Sequence, residues 1–114
     1  MLTMPTTSQD ELAELGLFCG AVTEFREGDK RYLLLERVTL PPGCSPAATE
    51  ALLCPQERDG YQTRLFLTQT INGRGANWTV HRVLDRNWHT WSWQGINANQ
   101  RLAQILRGHL RGLA

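Results

Sequence analysis

Two rhythms of apolar residues run along this 114-residue chain. In the middle they alternate or cluster in short runs of the kind that strands bury; at the two ends they recur every three or four residues, as one face of a helix does. Leu12 and Leu15 share such a face behind Ser8-Gln9-Asp10-Glu11, a Ser-x-x-Glu capping box in which hydroxyl and carboxylate each take an orphan amide. The helix so predicted ends near Leu15, where Gly16 supplies a closing residue. Leu102, Ile105, Leu106, His109, Leu110 and Leu113 form the second stripe, behind Asn97 and Gln100 as another capping pair. Gly108 costs that helix ~1 kcal/mol relative to alanine and marks either a close approach or a weak point.

Between the helices, residues 21–25 and 31–38 are rich in strand formers and flank Glu27-Gly28-Asp29-Lys30, a hairpin signal. Leu40-Pro41-Pro42-Gly43 breaks the second strand, because proline lacks a backbone donor and restricts the residue before it. Residues 49–54 are an apolar run stopped by Pro55, and 62–71 alternate well enough for a further strand. The prediction is a three- to four-stranded antiparallel meander. Residues 72–77 are turn-rich, and 78–93 hold all four tryptophans and two of the three histidines in a segment expected to be extended but irregular. The whole, residues 1–114, reads as one α+β domain with residues 1–7 flexible.

With 41% hydrophobic and 20% charged residues the composition is globular, and no run approaches the ~20 apolar residues of a membrane span. The start has no basic and apolar signal pattern, which points to the cytoplasm. A net charge of +1 offers no bulk attraction for nucleic acid or an anionic membrane. Cys19, Cys44 and Cys54 are odd in number and lack a C-x-x-C spacing, so neither a disulfide framework nor a zinc site is expected. Cys19 and Cys54 read as core residues, and Cys44, behind Pro42 and Gly43, as an exposed loop thiol.

Five features in order carry a family resemblance: the helix start Ser8-Gln9-Asp10-Glu11-Leu12, a strand running into Leu40-Pro41-Pro42-Gly43, the apolar Leu52-Leu53-Cys54-Pro55, the element Trp78-Thr79-Val80-His81, and Trp91 or Trp93 with Gly95 before the last helix. Together they resemble the bacterial ubiquitin-conjugating-enzyme-like (UBC-like) proteins that lack the usual catalytic cysteine. Two departures stand beside them: the proline-rich segment of conjugating enzymes is reduced to Tyr61-Gln62-Thr63-Arg64, and no His-Pro-Asn follows the last strand. The resemblance implies a UBC-like fold and a bacterial conjugation pathway, in the setting of antiphage defence. Its partners would be an activating-enzyme-like protein, a ubiquitin-like protein and a conjugation target. It also implies that the first helix, with Asp10, Glu11 and Glu14, docks the activating enzyme. The alternative is a non-catalytic adaptor that binds the same partners.

Under that resemblance Thr79 is the first candidate acyl acceptor, because residues two apart on an extended chain share a side and His81 can then serve as its base. Asn72 or Asn77 would donate to the developing oxyanion, and Ser92 is the second hydroxyl, with His89 able to serve it or Thr79. The competing reading is a strand threonine beside a structural histidine. Cys44, intrinsically the better nucleophile, precedes two strands instead of following them. His81, Asp85 and His89 can be drawn as metal ligands, but a spacing of four suits a helix, so neither metal nor cofactor is expected.

Overall fold

The computed structural model describes residues 9–114; Ser8 of the first capping box and the flexibility expected of residues 1–7 lie outside the described residues. The chain runs α1 (Gln9–Cys19), β1 (Val22–Glu27), β2 (Lys30–Thr39), β3 (Ala48–Cys54), β4 (Arg64–Leu67), β5 (Thr79–Val83), β6 (Arg86–Thr90) and α2 (Leu102–Leu110), closed by a 3-10 turn, Arg111–Leu113. The strands form one antiparallel sheet in the order β1-β2-β3-β4-β6-β5, an α+β arrangement. Among the described residues no helix is long and apolar enough to cross a membrane.

Three local expectations need correction. First, α1 does not stop near Leu15: it continues to Cys19, because burial of Leu15 and Cys19 outweighs the cost of helical Gly16. The closing residue is Gly20, at φ 71, whose N–H reaches back to the Gly16 carbonyl at 3.3 Å. Second, α2 begins at Leu102 and not behind Asn97; Gln100 Nε2 donates to the Asn97 carbonyl, but the helix start is satisfied elsewhere. Gln104 Oε1 accepts from Arg101 N–H at 3.2 Å, and Glu11 Oε1, from the other helix, accepts from Leu102 N–H at 2.9 Å. The cap is thus part local and part tertiary, and upstream of it the buried Ile96 is held through its carbonyl by the Thr63 hydroxyl at 2.8 Å.

Third, the stretch expected to be irregular contains a regular hairpin, so the sheet has six strands and not three or four. Its two-residue turn, Leu84 and Asp85, has both residues at positive φ, 52 and 61, as a type I′ turn requires. The turn residues are Leu-Asp, without the Asn-Gly that usually announces such a turn, and leucine at positive φ carries a cost in backbone strain. Glu27 Oε1, from the far edge of the sheet, accepts the Leu84 N–H at 2.6 Å and holds it in place.

The two sides of the sheet are closed differently. On one, Leu33, Leu35, Leu53, Leu65 and Leu67 pack beneath both helices in the main core. On the other, Tyr32, Leu52, Cys54, Phe66, Val83 and Trp88 make a second cluster with polar side chains laid over it. The Arg86 guanidinium lies 4.4 Å from the Trp88 ring centre and pairs with Glu50 at 2.8 Å, and Arg58 lies 5.2 Å from Phe66. Burial of each such ring is worth ~1.5–3 kcal/mol, so the second side also stabilises the fold, and it does so beneath a layer of charged side chains. Gly108 resolves as a close approach: a Cβ there would meet Ile96 Cδ1 at 2.9 Å.

Candidate functional site

β5 is an edge strand, and its register with β6 pairs Thr79 with Thr90, His81 with Trp88 and Val83 with Arg86. Paired residues share a face, so Thr79 and His81 lie on the second-cluster side. There Thr79 Oγ1 is 2.9 Å from His81 Nε2, with Thr79 open to solvent and the imidazole edge-on to Phe66 at 5.8 Å. The period-two expectation for this pair agrees with the geometry.

The other ring nitrogen meets a loop that sequence reasoning did not select. His81 Nδ1 is 3.4 Å from Arg58 Nη1 and 3.9 Å from Asp59 Oδ2. Arg58 Nη1 also pairs with Asp59, and Arg58 Nε donates to Tyr32 Oη at 2.9 Å. Arg64 Nη1 approaches Asp59 Oδ2 at 3.4 Å, and its guanidinium lies 3.9 Å from the Tyr61 ring centre. Tyr61 Oη is 3.1 Å from Ser92 Oγ. One polar tier thus runs from Thr79 through His81, Arg58, Asp59, Arg64 and Tyr61 to Ser92, linking the first- and second-choice hydroxyls. Partial burial, reinforced by Arg58 and Arg64 and opposed by Asp59, holds the His81 pKa below its ordinary value, so the imidazole is neutral at pH 7.

His89 does not join this site, a correction to its expected service to Thr79 or Ser92. It pairs with Val80, which puts it on the opposite face, where Nδ1 is 3.1 Å from Thr70 Oγ1. The same parity separates it from His81, and Asp85 sits in the hairpin turn, so the drawn metal trio is dispersed. Asn72 and Asn77 fall in the turn-rich segment ahead of β5, with Asn77 at φ 54, and neither is hydrogen-bonded to Thr79 or His81. Cys44, expected to be exposed, is buried, with Sγ 3.6 Å from the Leu113 carbonyl, because the loop folds under the C-terminal turn. Cys19 and Cys54 are buried, and burial raises both thiol pKa values, Cys19 to about 11.

Of the first-helix acids, Asp10 is exposed, Glu11 caps α2, and Glu14 pairs with Arg101 at 2.9 Å. The residues missed, Arg58, Asp59, Arg64 and Tyr61, stand beside a polar break that read only as a strand stop. The Asp59-Gly60 turn was its one usable signal, and it does not say which side chains the turn aims at the sheet. No family model, curated protein or solved structure matches the chain.

Proposed function

We propose that this chain is a UBC-like protein of a bacterial conjugation pathway, accepting the activated C-terminus of a ubiquitin-like protein as an oxyester on Thr79. The observation that carries the reading is the 2.9 Å contact between Thr79 Oγ1 and His81 Nε2 on a solvent-open edge strand. The order of helix, antiparallel meander and C-terminal helix supports it, as do the buried thiols, which leave a hydroxyl as the accessible acceptor. In the transfer the Oγ1–carbonyl bond forms, the leaving group of the activated donor departs, and the hydroxyl proton passes to Nε2. An activating-enzyme-like protein supplies the donor, and a further target receives the acyl group. Cytoplasmic action in antiphage defence fits the same reading.

The rival reading, a UBC-like adaptor that only positions these partners, is favoured by one feature: a hydrogen-bond donor, Arg58 Nη1 at 3.4 Å, stands closer to Nδ1 than the acceptor Asp59 Oδ2 at 3.9 Å. The chain, its activating enzyme, the ubiquitin-like protein and ATP, analysed by intact mass, distinguish the two. The expected adduct resists thiol reductant, is cleaved by hydroxide and is lost in Thr79→Ala. A stable complex that forms no adduct would favour the adaptor.

A further inference from the structure

We infer that Arg58 holds His81 in the tautomer unsuited to base catalysis, and that Asp59 is the positioning residue that corrects it when Arg58 withdraws. A guanidinium only donates hydrogen bonds. Arg58 Nη1 carries two hydrogens: one serves Asp59, and the other faces His81 Nδ1 at 3.4 Å. Nδ1 therefore accepts, the single proton of the neutral ring sits on Nε2, and Nε2–H donates to Thr79 Oγ1. In this state the imidazole cannot take the hydroxyl proton.

A hydroxyl–imidazole–carboxylate triad has the opposite polarity, with a carboxylate accepting from Nδ1 so that Nε2 is free to receive a proton. The group that could impose it is already adjacent. Asp59 Oδ2 is 3.9 Å from Nδ1, ~1 Å beyond a normal hydrogen bond, and is engaged instead by Arg58 and Arg64. Asp59 occupies a turn at φ 55 with Gly60 behind it, and its side chain is 46% exposed, so the carboxylate has room to move. The bearing of this device on acyl transfer rests on the function proposed above; the resting tautomer does not.

The test uses the isolated protein near pH 7.5, with side-chain nitrogen-15 NMR of His81. The wild type is expected to carry its proton on Nε2. Arg58→Met keeps an apolar stem over Phe66, removes the donor and is expected to move the proton mainly to Nδ1. Adding Asp59→Gly, which tolerates the positive φ, should return it to Nε2. Tyr32→Phe, which removes only the hydroxyl anchoring Arg58 Nε, should shift the population in the same direction as Arg58→Met.

A covalent readout accompanies the spectra. With p-nitrophenyl acetate, the Thr79 Oγ1–acetyl bond forms, the bond to p-nitrophenolate breaks, and the hydroxyl proton leaves through Nε2 to solvent. Acetylation mapped to Thr79 should rise on the order of tenfold in Arg58→Met and fall back when Asp59→Gly is added. A wild type already protonated on Nδ1, or an unmoved tautomer in both Arg58→Met and Tyr32→Phe, overturns the inference. A tautomer that moves as stated in a protein that never receives a ubiquitin-like adduct removes only the acyl-transfer reading.

Discussion

Thr63 with His109 and Thr79 with His81 are the same two side chains at nearly the same separation, 2.8 Å and 2.9 Å, in opposite surroundings. The first pair lies in the main core, with both residues 2% exposed and His109 edge-on to Trp91. The second stands on an edge strand, where Thr79 meets solvent. In the core pair the Thr63 hydroxyl donates to the Ile96 carbonyl at 2.8 Å, so His109 Nε2–H must be the donor between the two side chains. That pair is closed, with each proton committed and both side chains shut off from solvent. A threonine–histidine contact therefore says little by itself; access and an uncommitted proton make it chemistry.

The largest effect that would sharpen this contrast is acid sensitivity. Burial, helped by Arg64, lowers the His109 pKa from 6.5 to about 4. A depressed histidine contributes its full stability above the unfolded value. That stability is lost as pH falls from about 6.5 to about 4, where the unfolded chain binds a proton that the folded core refuses. The gap corresponds to ~3 kcal/mol at 1.36 kcal/mol per unit. Denaturant melts from pH 7.5 to 4 should show that loss, and His109→Leu should flatten the slope, even if it lowers stability at pH 7. A slope unchanged in His109→Leu would mean that the core pair is not closed as described.

Next in size is Thr63→Val, which keeps the shape but leaves the Ile96 carbonyl and His109 Nε2–H buried without a partner. The expected cost is ~2 kcal/mol, read as a lower urea midpoint at constant slope. Rescue by Thr63→Ser, which restores the hydroxyl, would tie the loss to these hydrogen bonds and not to packing.

The sequence is readable to different depths at the two pairs, for a physical reason. Thr79 and His81 are two apart, so the pleat of any strand brings them together and strand recognition is enough. Thr63 and His109 are 46 residues apart, and His109 showed itself only as part of a helical stripe. The same limit hid Arg58, 23 positions from His81, whose role depends on where a turn releases the chain. The hairpin of β5 and β6 went unread because its turn is held by distant Glu27 in place of local Asn-Gly chemistry. The hairpin in turn fixes which face each histidine takes, and its register puts His89 across the sheet from Thr79, which it had been expected to be able to serve.

The smallest expected effect on stability belongs to the edge-strand pair. Thr79→Val keeps a β-branched residue, removes a solvent-facing hydroxyl and leaves His81 Nε2 free to bond to water. Thermal melts should agree with the wild type to within ~0.5 kcal/mol. A loss near that of Thr63→Val would mean that the Thr79 hydroxyl supports the fold, and the functional reading of the pair would lose its ground. A near-zero change is a different matter: the hydroxyl then has no structural duty, β5 keeps it at the open edge of the sheet, and loss of the acyl adduct in a fully folded variant can be assigned to chemistry.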